Sequence, residues 1–194
     1  MEASEVLTNK YCAGCALFKR KEYISVRNET IVMNLKYFPK DKRSILFVAE
    51  SPPWRFSVDK TSYFYASEGE IRYGSLAYYM SCVLFGQVFN HKRDFLQKFL
   101  KNGFYLIDAV KCPINNLKKK KEKKEAVKFC AKYLNDEFQM LSFAKVLFIG
   151  KGTFQILKKY ASLPSDYDVV PLPFNSKKNI DGFKDGLGRF MNRT

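Results

Sequence analysis

The 194 residues carry 34 Lys and Arg against 19 Asp and Glu, a formal net charge of +15, with 46% hydrophobic and 16% aromatic residues. Such apolar content excludes wholesale disorder, which needs low hydrophobicity, and no apolar run approaches the roughly 20 residues that span a bilayer. The charge predicts a polyanionic partner, most simply nucleic acid, because Lys and Arg gain sequence-independent affinity by neutralising phosphates; a lysine-rich surface that merely solubilises the chain is the competing explanation. Met1-Glu-Ala-Ser-Glu5 is acidic and polar and does not read as a secretory signal. One domain over residues 1–194, cytoplasmic, monomeric and without membrane contact, is therefore the expectation.

In chain order, the first feature is Cys12-Ala-Gly-Cys15, two thiols on a tight turn. Ser44-Ile-Leu-Phe-Val-Ala49 has the apolar, β-branched content of a buried strand. Helical segments are predicted from Gly74 to Phe85, apolar on most faces, and from Lys92 to Leu100, amphipathic. Phe104 to Asp108 is a second strand. The dense basic run Lys118 to Lys124 reads as a solvated loop or helix start, and it leads into a helix from Lys121 to Leu141 with an apolar stripe. Lys145 to Ile149 is a third strand, Gly152 to Tyr160 a helix, Asp168 to Leu172 a short fourth strand, and Asp181 to Met191 a closing helix despite three glycines.

Near-continuous apolar strands separated by helices imply an α/β fold. The predicted form is a three-layer α/β/α domain around a central, mostly parallel four-stranded sheet. Ligands of open α/β sheets collect beyond the carboxyl ends of the strands. The chemistry is therefore expected in Glu50-Ser-Pro-Pro-Trp54, Asp108-Ala-Val-Lys-Cys112, Gly150-Lys-Gly152 and the stretch after Leu172. Gly150-Lys-Gly152 lacks the spacing of a P-loop. Trp54, the only tryptophan, is read either as a DNA contact or as packing.

Five cysteines are present: Cys12, Cys15, Cys82, Cys112 and Cys130. In a reducing compartment clustered cysteines read as a metal site rather than as disulfides. Cys82 lies in an apolar stretch and reads as a buried core thiol. The other four suit either tetrahedral zinc or an iron–sulfur cluster.

The order of these motifs resembles the uracil-DNA glycosylases that carry a [4Fe–4S] cluster. An early C-x₂-C precedes Val48-Ala-Glu-Ser-Pro52; a later strand runs into Ala109-Val-Lys-Cys-Pro113; Cys130 follows, then Phe148-Ile-Gly-Lys-Gly152. The resemblance extends from Cys12 to about Asn179 and is most specific at Ala-Val-Lys-Cys-Pro and in the order of the cysteines. It implies a glycosylase acting on uracil or a related deaminated or damaged base in DNA, with Cys12, Cys15, Cys112 and Cys130 as cluster ligands. Glu50 matches the acid beside the attacking water, and Asp108 the residue that reads the flipped base. Phe64, chosen from Tyr63-Phe-Tyr65, matches the stacking aromatic, while Leu172-Pro-Phe-Asn-Ser176 takes the place of the loop that enters the minor groove. Lys111, Lys118, Lys119, Lys120, Lys121 and Lys151 are expected on DNA.

Two positions depart from the family pattern. The only histidine, His91, sits in Asn90-His-Lys-Arg93, away from the late motif in which the family presents one to the leaving base. Asn175 is the candidate to supply a neutral hydrogen bond there instead. Asp108 stands where the family has asparagine, and an ionised aspartate only accepts hydrogen bonds. A DNA-binding relative with impaired catalysis is accordingly the alternative function.

Overall fold

The computed structural model describes residues 12, 14, 15, 17, 21–37, 44–57, 59–115, 117–141, 143–174 and 176–193. The elements run α1 (Lys21–Lys36), β1 (Ser44–Ala49), two short 3-10 turns (Trp54–Ser57 and Lys60–Ser62), α2 (Leu76–Phe85), α3 (Lys92–Lys101) and β2 (Phe104–Asp108). After these come α4 (Lys120–Met140), β3 (Phe143–Ile149), α5 (Lys151–Leu157), β4 (Tyr167–Val170) and α6 (Lys177–Asn192).

The four strands form one sheet in the order β2-β1-β3-β4, every pairing parallel. Both alternating faces of β1 and β2 are buried, which requires helices on both sides. The result is the three-layer α/β/α arrangement expected from the strand and helix alternation.

The sheet's path fixes where a ligand can sit. The chain leaves β1 for β2 on one side, then returns past β1 to β3 on the other, so β1 and β3 flank a topological switch point. Ala49 pairs with Asp108, Val48 with Phe148 and Ile149 with Val170, so all four strands end along one rim. Backbone bonds extend past the strand ends: Ala109 N–H donates to Ala49 O (2.7 Å), Val110 N–H to Glu50 O (3.0 Å) and Gly150 N–H to Val170 O (2.8 Å). The rim loops therefore begin from fixed positions.

The core is unusually aromatic near β2. Phe47, Phe99 and Phe104 meet within 5.5–5.9 Å between ring centroids, and such pairs contribute about 0.5–1.5 kcal/mol each beyond area burial. Helix α2 begins at Ser75, whose hydroxyl accepts from Tyr78 N–H, and ends at Gly86 in the left-handed region. The closing helix starts earlier than predicted because Ser176 caps it, accepting from Asn179 N–H, and it buries Phe183, Leu187 and Phe190. Helix α1 has no counterpart among the predicted elements. Its inward stripe is Tyr23, Val26, Arg27, Thr30, Ile31 and Asn34, and three polar side chains hide the helical period from a hydrophobicity reading.

Candidate functional site

Glu50, Phe64 and Asp108 line one cavity of about 520 Å³ at the carboxyl rim, a size suited to a small ligand. Phe64 is 8% exposed, and its ring is held from behind by edge contacts to Tyr65, Phe95 and Phe99 at 5.3–5.6 Å. Its two tyrosine neighbours turn into the core. Tyr65 hydroxyl donates to Leu106 O and accepts from Leu106 N–H, both at 2.8 Å, standing in for a missing partner on the edge strand β2. Lys92 lies buried beneath this loop and donates to Thr61 O (2.7 Å) and to Tyr63 O. Burial lowers its pKa to about 8. The sequence places Lys92 at the start of an amphipathic helix; its clamp on the Phe64 loop is visible only in the tertiary structure.

Asp108 ends β2 fully inside the protein. Its Oδ2 lies 2.8 Å from the Tyr63 hydroxyl, which is also 2.9 Å from Asn34 Oδ1 on α1. Burial is the main reason that its pKa rises to about 6; Lys111 and the Tyr63 bond oppose the rise, and Glu137 adds to it. Lys111 corrects a sequence expectation. It is 1% exposed, and its ammonium donates to both Glu137 carboxylate oxygens (2.7 and 2.8 Å) and to Asp108 O (2.7 Å). A DNA phosphate cannot reach it. Its task is to pin the end of β2 to α4.

A second cavity of about 560 Å³ adjoins the first, and Glu50, Lys123 and Leu172 line both. Lys120, Lys124 and Lys151 line it too. Gly150, at the switch point, has φ +121°, and a Cβ there would stand 3.5 Å from Leu172 and 3.8 Å from the Glu50 side chain. Lys118, Lys119, Lys120, Lys121 and Lys151 are exposed, the first four where α4 begins. Cations at a helix N-terminus oppose the helix dipole, so this run lowers local stability unless an anion is present. Leu172 and Phe174 reach the first cavity, whereas Asn175 lies outside the described residues. His91 is exposed, begins α3 and lines neither cavity. Trp54 is 39% exposed and meets Tyr23 edge-on at 5.8 Å, which accounts for it as packing on α1.

Cys12, Cys15, Cys112 and Cys130 line one small, largely apolar cavity with Arg27, Phe129 and Tyr133, while Cys82 lies on α2 away from them. Cys15 N–H donates to Cys12 O (2.9 Å), closing the tight turn. A Cβ at Gly14 would come within 2.9 Å of the Phe129 ring, so a larger residue there would have to displace that ring. Tyr133 hydroxyl lies 3.3 Å from Cys12 Sγ, and Arg27 hydrogen-bonds the Cys112 thiol. Burial pushes Cys112 up to about 12 and Cys130 well above the ordinary thiol value, with the neighbouring cysteines adding to both. None of the five cysteines is in a disulfide, and among the described residues no group of three or more His, Cys, Asp or Glu stands ready to hold a single metal ion.

No helix of the described residues is long and apolar enough to cross a membrane. A search of curated proteins finds no match to the chain. The family model described as the uracil DNA glycosylase superfamily matches residues 35–185, a span that contains the parallel sheet, its carboxyl rim and both adjoining cavities. The chain belongs to the uracil DNA glycosylase superfamily.

Proposed function

We propose that the protein is a DNA glycosylase that releases uracil or a related deaminated or damaged base by hydrolysing its N-glycosidic bond. The supporting observation is the convergence of Glu50, Phe64 and Asp108 on one cavity of about 520 Å³ beside a lysine-lined cleft. An enzyme acting on a base must take it out of the stack, hold it against an aromatic face and read its edge. Phe64 offers that face and Asp108 the reading group. Glu50 orients the water and balances positive charge on the sugar as the bond opens. Lys118, Lys119, Lys120, Lys121 and Lys151 take the phosphates, and Asn175, beside Phe174, is a further contact to the base.

The four clustered cysteines are the proposed ligands of a [4Fe–4S] cluster. Four thiols, apolar walls and one guanidinium beside them suit such a group, and the sulfurs of a cluster stand farther apart than those around one ion. Zinc is the alternative. A bound cluster would withdraw the thiol protons and tie the Cys12–Cys15 turn to the loop after β2 and to α4.

The test is incubation of purified protein with single- and double-stranded oligonucleotides bearing uracil, hypoxanthine or xanthine, followed by cleavage at abasic sites. Release of at least one base is expected. DNA binding with no release from any would overturn the enzyme assignment in favour of a catalytically impaired DNA-binding relative. That second reading draws support from Pro171, Leu172 and Phe174 at the late rim and from the exposed position of the only histidine.

A further inference from the structure

We infer that Lys123 is the electrophile that stabilises the departing base, in the role for which the late loop offers no histidine. The inference rests on the glycosylase reading and extends it to a residue on another element. When the C1′–N bond breaks, its electron pair moves onto the base, which leaves as an anion. A preorganised positive group beside that charge is worth far more in a water-poor cavity than in solvent.

Among the described residues, three cations line the cavity that holds Glu50, Phe64 and Asp108: Arg72, Lys92 and Lys123. Arg72 is held by Asp59 at 2.6 Å. Lys92 is buried and bound to the carbonyls of Thr61 and Tyr63. Among the described residues, the Lys123 ammonium has no hydrogen bond or ion pair, so it alone is uncommitted. Lys123 also lies on the wall that the two cavities share, together with Glu50 and Leu172. It projects from the first turns of α4, whose N-terminal dipole favours negative charge nearby. Asn115, which lines the first cavity only, has its oxygen turned to the Ser51 hydroxyl at 3.0 Å.

The step balances without another reactant. Water adds to C1′ as the glycosidic bond breaks, its proton passes to the Glu50 carboxylate, and Lys123 donates a hydrogen bond to the anionic base until solvent protonates it. The charge is then supplied from the helix that follows the Lys118–Lys121 run, rather than from the loop after β4.

The experiment compares single-turnover release of uracil and of 5-fluorouracil, whose anion is the better leaving group, by the wild-type chain, Lys123→Met and Lys123→Arg. Lys123→Met should slow uracil release on the order of 10²-fold and 5-fluorouracil release distinctly less, with DNA affinity changed less than about threefold. Lys123→Arg should recover most of the loss. Equal losses on both bases, or a loss that follows weakened DNA affinity, would make Lys123 a phosphate contact and overturn the inference while leaving the glycosylase reading intact. If the wild-type chain releases hypoxanthine alone, the three chains are compared on that base, and an unchanged rate in Lys123→Met would overturn the inference while keeping that reading. Release of no base by the wild type would end both.

Discussion

The Tyr63 hydroxyl stands 2.8 Å from Asp108 Oδ2 and 2.9 Å from Asn34 Oδ1, and it has one proton to donate. Among the described residues, the buried Asn34 amide nitrogen has no hydrogen-bond partner. Two arrangements satisfy this chain. With Asp108 protonated, the carboxyl donates to Tyr63 and Tyr63 donates to Asn34. With Asp108 ionised, Tyr63 donates to Asp108, and the Asn34 amide, turned over, donates to Tyr63. The pKa of about 6 puts the exchange between them close to neutrality.

The first prediction follows from that exchange. The folded carboxyl keeps its proton to higher pH than it does in the unfolded chain, so the native state binds more protons between about pH 4 and pH 6. Stability must therefore fall as pH rises through that window. Asp108→Asn cannot ionise and should be more stable than the wild type above pH 6, by roughly 3 kcal/mol at most. The difference should vanish below about pH 4. Urea midpoints across pH 4–8 measure it, and a gap that does not change with pH would refute the assignment. The same variant should favour uracil, since an amide can donate to O4 where a carboxylate repels it.

The second concerns the buried pair beneath this site. Lys111→Met leaves Glu137 charged and alone in a position where burial already raises its pKa. Breaking a buried ion pair on one side costs about 3–5 kcal/mol. Replacing both partners, Lys111→Met with Glu137→Leu, should restore most of the loss. A single variant as stable as the wild type would mean that the pair does not hold the end of β2.

The rim was legible in the sequence because strand ends are local signals. Apolar runs terminating at Glu50 and Asp108 are enough to put both residues on one edge of a parallel sheet. The supports behind them were not legible. Arg27 and Asn34 lie on one face of α1 seven residues apart, about 10 Å along the helix, and reach the Cys112 thiol and the Tyr63 hydroxyl respectively. Such residues interrupt the apolar period that announces a helix, so the element serving both sites was the one that periodicity missed. Lys111 was misplaced for a related reason: its partner Glu137 comes from a helix much later in the chain, and nothing in Ala109-Val-Lys-Cys-Pro113 distinguishes a buried lysine from an exposed one.

A third prediction separates cluster from zinc. Anaerobically purified protein should carry about four iron atoms per chain with visible sulfur-to-iron absorption. Cys112→Ser and Cys130→Ser should lose both, whereas Cys82→Ser should keep them. Stoichiometric zinc in a colourless wild-type protein would replace the cluster assignment with a single-ion site.

The last prediction tests the carboxylate at the switch point. Glu50 lies on the wall shared by both cavities, between Asp108 and the lysine cleft. A carboxylate there can accept the proton of the attacking water and offset the positive charge that builds on the sugar. Glutamine has nearly the same shape and retains a hydrogen-bonding oxygen but supplies neither function. Glu50→Gln should therefore bind a lesion-bearing oligonucleotide within about threefold of the wild type, or slightly more tightly, because a negative charge facing DNA has gone. Its single-turnover excision rate should fall by roughly 10²–10⁴, the usual contribution of a positioned acid–base group. The two readouts together are decisive. Lost affinity with the rate retained at saturation would make Glu50 a positioning group for the rim loop. Full activity would remove Glu50 from the chemistry and shift attention to the Lys123 wall alone.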